Sequence, residues 1–158
     1  MSSRSEFNNF GGGLFAPGAS RSTLGEAAFH RMISLERRRT SRSRKSFLLM
    51  LVETGEQPQT EKSDANRKKL FSALSSVLRE TDVTGWYKED SVVGVLFTEI
   101  ALENQRAIPS TMMNRVTGTL KSNLTPQQFR LLGISFHLLT EAREHDVFAR
   151  GARAHIAV

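Results

Sequence analysis

The stretch that most restricts the fold is a pair of β-rich runs separated by a short polar segment. Residues 83–87 (VTGWY) and 92–97 (VVGVLF) are rich in β-branched and aromatic side chains, and residues 88–91 (KEDS) lie between them. Gly85 is a further residue typical of turns. Two β-rich runs joined by a few turn-forming residues predict an antiparallel hairpin.

The segments around this hairpin alternate between strand-like and helix-like patterns. Residues 46–53 form a continuous apolar run whose length and polar flanks favour a central strand buried on both faces. Residues 129–139 predict a last long strand, and the segment after Glu141 is compatible with a short helix or a late edge strand. Two helical apolar stripes lie between the strands, at Leu70, Phe71, Leu74, Val77 and Leu78, and at Met112, Met113, Val116 and Leu120.

The resulting order is strand, helix, strand, strand, helix, strand. This order predicts an α+β fold of the ferredoxin-like type, with one antiparallel sheet and helices packed on one face. Ser63 or Asp64 is the expected cap of the helix that carries Leu70. An additional N-terminal helix is expected from a capping-box pattern at Thr23 and Glu26, followed by apolar residues at helical spacing.

Domain organisation follows from composition. Residues 1–21 are rich in Ser, Gly and Asn, with too little apolar surface to offset the entropy of ordering, and we expect a flexible tail followed by one domain over residues 22–158. The chain has 158 residues and no cysteine, so disulfides and thiolate metal sites are excluded. No apolar run approaches the roughly 20 residues that span a bilayer. These features favour a cytoplasmic protein.

The net charge of +6 comes from one segment. The first 45 residues carry nine Arg or Lys against three Glu, whereas the remaining residues are balanced. The basic patch consists of Arg37, Arg38, Arg39, Arg42, Arg44 and Lys45. Such a patch can bind phosphates, an acidic protein or an anionic membrane surface, or it can be the solvated face of a helix.

The hairpin and the residues before it resemble the signature of GGDEF domains, the diguanylate cyclases. In that family a helix ends in RxxD, five residues follow, and then come the GGDEF tip and an apolar strand. Here Arg79-Glu80-Thr81-Asp82 is followed by residues 83–87 and then by Lys88-Glu89-Asp90-Ser91-Val92 in place of GGDEF. The resemblance covers roughly residues 27–138 and implies a nucleotide-cyclase-like fold.

The same resemblance implies that catalysis has been lost. Glu53 stands where the family has a metal-binding Asp, and Gly55 stands where a second acidic residue usually lies. Lys88 and Glu89 replace the two glycines that let a guanine nucleotide approach the backbone. Asp90 keeps an acidic residue, whereas Ser91 and Val92 replace the acidic and aromatic residues that follow. Two-metal chemistry needs several carboxylates, so we expect no diguanylate cyclase activity, no catalytic residues and no bound metal cofactor, with Glu53 and Asp90 as vestigial metal positions.

The RxxD element is retained. In active relatives it is the inhibitory site that binds cyclic di-GMP, which makes Arg79 and Asp82 the candidate ligand-binding residues. The planar guanidinium of Arg79 suits a phosphate or a guanine edge. An alternative is that Asp82 only satisfies backbone donors in the turn before Val83.

Two classes of function follow from these features. The first is a non-catalytic, GGDEF-like regulatory domain whose partners are cyclic di-GMP or another signalling protein, with homodimer formation as a further option. The second is a nucleic-acid-binding or scaffold module that uses the Arg-rich helix over residues 31–45. RNA-recognition domains share the strand and helix order but need aromatic residues on their central strands, which are aliphatic here.

Overall fold

The computed structural model describes residues 22–55, 60–100, 108–140 and 144–150. The predicted flexible tail, residues 1–21, lies outside these ranges. The elements are, in chain order, α1 (Glu26–Ser43), β1 (Ser46–Glu53), α2 (Glu61–Val77), β2 (Val83–Lys88), β3 (Val92–Ile100), α3 (Ile108–Asn123), α4 (Pro126–Leu131), β4 (Gly133–Leu139) and β5 (Glu144–Arg150).

The strands form one antiparallel sheet in the order β2-β3-β1-β4-β5. β2 and β3 are the predicted hairpin, with Gly85 opposite Gly94 and Val83 opposite Leu96. β1 lies between β3 and β4, as its continuous apolar sequence predicted. The first four strands have the ferredoxin-like arrangement, and β5 extends it at the edge, so the predicted fold class is confirmed.

The two faces of the sheet carry separate apolar cores because successive strand residues point to opposite faces. Leu48, Met50 and Val52 pack with residues of α2, α3 and α4. Their neighbours Phe47, Leu49 and Leu51 pack with residues of α1 on the other face. The predicted burial of β1 on both faces is thus confirmed, and the N-terminal helix supplies the second cover.

The contact between α1 and the hairpin depends on two glycines. Phe29 is fully buried, and its ring lies against Gly85 and Gly94, which are paired across β2 and β3. A Cβ atom added at Gly94 would lie 2.2 Å from Cε1 of Phe29, and one added at Gly85 would lie 2.6 Å from Cδ2. The prediction that Gly85 forms a turn was therefore wrong. It lies within a strand and leaves space for an aromatic ring.

The start of α1 also differs from the expected capping box. Gly25 is the N-cap and provides no side-chain hydrogen bond. The chain before it is held in an extended conformation, because the Leu24 N–H donates to the Thr84 carbonyl and the Trp86 N–H donates to the Leu24 carbonyl. This pairing with the edge of β2 keeps Thr23 away from the cap position, and Glu26 bonds elsewhere.

The structure also corrects where β4 and α2 begin, and it shows which of two options the C-terminal segment adopts. The predicted strand over residues 129–139 begins only at Gly133, because Thr125 and Gln128 form a capping box that starts α4 with Pro126 in its first turn. The N-cap of α2 is Thr60, and Ser63 is its capping-box partner rather than the cap itself. Of the two options for the segment after Glu141, the edge strand is the observed one.

Candidate functional site

The hairpin tip is fixed from the side of α2. Arg67 Nη1 lies 3.0 Å from Asp90 Oδ1, and Nη2 donates to the Asp90 carbonyl at 3.5 Å. The Arg67 guanidinium also lies over the Trp86 ring at 6.0 Å, and Trp86 packs edge-to-face with Phe71. Asp90 has a φ of 58°, a left-handed conformation that Asp tolerates better than most residues. One arginine therefore holds the only acidic residue that the tip retains from the family pattern.

The same tip is fixed from the side of α1. The Glu89 N–H donates to Glu26 Oε2 at 2.7 Å, and His30 Nε2 lies 2.7 Å from the Tyr87 carbonyl oxygen. The His30 and Tyr87 rings are in contact as well, with centroids 4.8 Å apart. A carboxylate of the chain itself thus accepts from a backbone N–H at the tip position where the family has its second glycine.

Glu53 and Asp90, the two positions expected to be vestigial metal positions, have different neighbours. Glu53 is the last residue of β1, and its side chain lies over Gly133 of β4, where an added Cβ would be 3.3 Å from Glu53 Oε2. Asp90 is ion-paired with Arg67. Gly55, the other position compared with the family's acidic residues, has a φ of 74° that favours glycine. Within the parts of the chain that the structure describes, no three His, Cys, Asp or Glu side chains are grouped as a metal site.

The RETD residues form a turn between α2 and β2, at the end of the sheet opposite the tip. Asp82 is 8% exposed, and its Oδ2 accepts from the Arg79 N–H at 2.7 Å, while the Asp82 N–H donates to the Arg79 carbonyl. Asp82 therefore stabilises the turn in the way that the backbone interpretation anticipated. The Arg79 side chain is exposed and makes no ion pair with any described residue.

Two residues that the sequence interpretation did not single out lie beside this turn. Arg115 of α3 donates to the Val77 carbonyl at 3.2 Å, which places a second guanidinium next to the end of α2. Thr98 of β3 donates to the Thr81 carbonyl at 3.4 Å. Neither contact has a local sequence signal, because the partners are 38 and 17 residues apart.

The basic patch lies at this same end of the sheet. The chain enters β1 directly after α1, so the C-terminal end of α1 is next to the first residues of β1 and the last residues of β3. All six basic side chains of the patch are exposed. Arg39 is paired with the buried Glu36 at 2.6 Å, and Arg44 caps the helix in a left-handed conformation. The structure thus brings the patch and the RETD turn to one end and leaves the tip at the other.

Several solved structures share the fold of this chain, although its sequence matches none of the families and curated proteins compared. The structure is similar to the GGDEF domain of DgcB from Caulobacter crescentus, solved in complex with c-di-GMP, with a TM-score of 0.59 at 10% identity over 84% of this chain and 82% of that one. It is also similar to the FimX GGDEF domain from Pseudomonas aeruginosa (TM-score 0.58, 16% identity, 82% of this chain and 83% of that one).

A third similar structure is a DGC protein from Thermotoga maritima, with a TM-score of 0.56 at 14% identity over 74% of this chain and 80% of that one. The chain therefore has a GGDEF-like fold, as the hairpin signature implied.

No helix in the described ranges combines the length and the apolar character needed to cross a bilayer.

Proposed function

We propose that this chain is a regulatory GGDEF-like domain that does not synthesise cyclic di-GMP and that recognises it through the RETD turn. The proposal rests on the contacts that the hairpin tip makes within the chain. Its retained acid, Asp90, is bound to Arg67, and its Glu89 N–H is bound to Glu26. A nucleotide approaching this backbone would have to displace contacts within the chain.

Side chains at the tip would also obstruct the approach of a nucleotide. Lys88 and Glu89 place side chains where the family has glycines. Of the carboxylates that two-metal catalysis would need, Glu53 and Asp90 remain, and they face β4 and α2 respectively. Removing several cooperating parts of one catalytic site abolishes its activity almost completely.

Two features of the RETD turn support ligand recognition: its backbone is fixed by Asp82, and its Arg79 side chain is exposed. The Asp82 carboxylate fixes the backbone of the turn, so the Arg79 guanidinium projects from a rigid support. An exposed arginine on a preorganised turn can form two parallel hydrogen bonds with a phosphate or a guanine edge. Arg115 adds a second guanidinium beside the turn. With Asp82 Oδ2 already accepting from the backbone, the arginines would make the main contacts.

Calorimetry with cyclic di-GMP tests the ligand part of the proposal. We expect saturable binding to the wild type and a loss of about tenfold or more in Arg79→Ala, since a charge-assisted hydrogen bond contributes about 1.5–3 kcal/mol. Arg130→Ala is the matched control, because Arg130 is exposed on α4 and lies outside the turn. Equal affinity in the wild type and Arg79→Ala would contradict the RETD site, as would a wild type that does not bind.

Turnover of GTP tests the catalytic part. We expect no cyclic di-GMP product from GTP with Mg²⁺ or Mn²⁺ at any protein concentration, with an active diguanylate cyclase assayed in parallel as the positive control. Detection of cyclic di-GMP that scales with protein concentration would show that the tip still supports catalysis.

Nucleic-acid binding, the alternative function, would depend on the exposed arginines of α1 alone. RNA-recognition domains bind on an exposed sheet face. Here α1 covers one face over β1, β2 and β3, and the other helices pack on the second face. Nucleic acid would therefore have to bind the exposed arginines of α1, and such binding would weaken steeply with salt. A generic oligonucleotide titrated at two salt concentrations measures this directly.

A further inference from the structure

A cleft of about 410 Å³ opens between the C-terminal end of α1 and the neighbouring ends of β1 and β3. Its volume is within the range of small-molecule sites, roughly 300–1,000 Å³. The charged side chains that line it are Arg39, Arg42, Lys45 and Glu36. The cleft therefore carries a net positive charge.

The cations of the cleft are not equivalent. Arg39 is bound to Glu36 at 2.6 Å, and the Glu36 side chain is only 9% exposed, so this pair is internally compensated. Arg42 and Lys45 are exposed and make no ion pair with any residue that the structure describes. The positive potential available to a ligand comes mainly from these two side chains.

One residue that lines the cleft, Thr40, carries a buried hydroxyl. Thr40 is 5% exposed and lines the cleft, and its hydroxyl makes no hydrogen bond within the described parts of the chain. Buried hydroxyls nearly always have a partner, since leaving one unsatisfied costs free energy. Neighbouring helix residues show the usual solution, as when Ser43 Oγ donates to the Arg39 carbonyl. Thr40 does not adopt it.

We propose that this cleft binds a phosphate-bearing small molecule, with Arg42 and Lys45 supplying the positive charge and the Thr40 hydroxyl donating to a phosphate oxygen. Cations at a helix C-terminus also interact favourably with the helix dipole, which accounts for Arg42 without any ligand. The dipole does not account for Thr40. The site is separate from the RETD turn but adjacent to it, because Thr98 lines the cleft and also donates to the Thr81 carbonyl.

The test uses inorganic pyrophosphate as the probe, with thermal shift and amide chemical shifts measured at constant ionic strength. We expect a saturable rise in the melting temperature of the wild type and shifts at Thr40 and Thr98. The double variant Arg42→Ala/Lys45→Ala should lose about tenfold or more in affinity. The control Arg31→Ala/Arg38→Ala removes the same charge from exposed positions of α1 that do not line the cleft, and it should stay within about twofold of the wild type.

Thr40→Val separates the proposed role from a structural one. The valine has nearly the same shape, so the variant without probe should melt at the wild-type temperature or a few degrees above it, because a buried hydroxyl without a partner is removed. Its affinity for pyrophosphate should nevertheless fall about tenfold. Substitution of Arg39 is avoided, since it would leave the buried Glu36 unpaired.

Three results would overturn the proposal. The first is the absence of a saturable response in the wild type, and the second is unchanged affinity in Thr40→Val. The third is equal loss in both double variants, which would indicate a diffuse basic surface. Arg79→Ala should bind pyrophosphate normally, so this site and the RETD site can fail independently.

Discussion

At the tip end of the sheet, side chains of α1 and α2 are bound to the hairpin, whereas at the RETD end most of the cations are exposed. Glu26 and Arg67 contact the hairpin tip, and His30 contacts Tyr87 just before it. At the other end, Arg79 projects from the turn between α2 and β2, and the basic patch projects from the C-terminal end of α1. The helix α1 takes part in both ends, with its first turn at the tip and its last turn at the cleft.

This difference bears on where a ligand could bind with the smaller cost in broken contacts. A ligand at the tip would have to break contacts that already satisfy the polar groups there, which reduces the net free energy of binding. At the RETD end, Arg79, Arg42 and Lys45 make no ion pair with any described residue that a ligand would have to break. The tip end is therefore held by contacts within the chain, and the opposite end is where we propose that ligands bind.

The largest expected effect comes from breaking the contact between α1 and the hairpin. Phe29→Ala removes a fully buried ring and should lower the free energy of unfolding by about 3–5 kcal/mol, measured by urea denaturation. Leu35→Ala on the same helix is the control. Leu35 is 41% exposed, and its substitution should change stability by about 0.5 kcal/mol or less.

A double-mutant cycle sharpens this test. Gly94→Ala in the wild type should cost about 1–3 kcal/mol, because the added Cβ would overlap the Phe29 ring. In the Phe29→Ala background the same change should cost much less. Additive effects would show that the glycine pair does not form the pocket for the ring.

The next effect concerns the ion pair on the α2 side of the tip. Arg67→Ala should lower stability by about 1–2 kcal/mol, since it removes both the pair with Asp90 and the contact with Trp86. Lys68→Ala removes a neighbouring exposed cation and should change stability by less than about 0.5 kcal/mol. If the two variants unfold at the same urea concentration, the tip is not held by Arg67.

The smallest expected effect on stability concerns Glu26, whose carboxylate accepts a hydrogen bond from the tip. Glu26→Gln should cost about 0.5–1 kcal/mol more than Glu61→Gln, because both remove an acid from the first turn of a helix but only Glu26 accepts from the Glu89 N–H. Hydrogen exchange at the Glu89 amide gives a direct measurement and should be faster in Glu26→Gln alone. Equal exchange in both variants would mean that this hydrogen bond does not protect the amide.

Local sequence patterns predicted most of the fold. The unbroken apolar run of β1 predicted burial on both faces, and the two β-rich runs on either side of residues 88–91 predicted the hairpin. The late start of β4 also had a local signal, since Thr125 and Gln128 form a capping box ahead of Phe129. That signal was outweighed in the sequence interpretation by the apolar character of residues 129–132.

The arrangement of the candidate sites was decided only by the tertiary structure. Glu26 and Glu89 are 63 residues apart, and Arg67 and Asp90 are 23 apart. Period-2 and period-3.6 patterns show which face of an element is buried, but they carry no information about which distant element lies opposite. The sheet order and the position of α1 place Phe29 on Gly85, bring Glu26 and Arg67 to the hairpin tip and bring the basic patch beside the RETD turn.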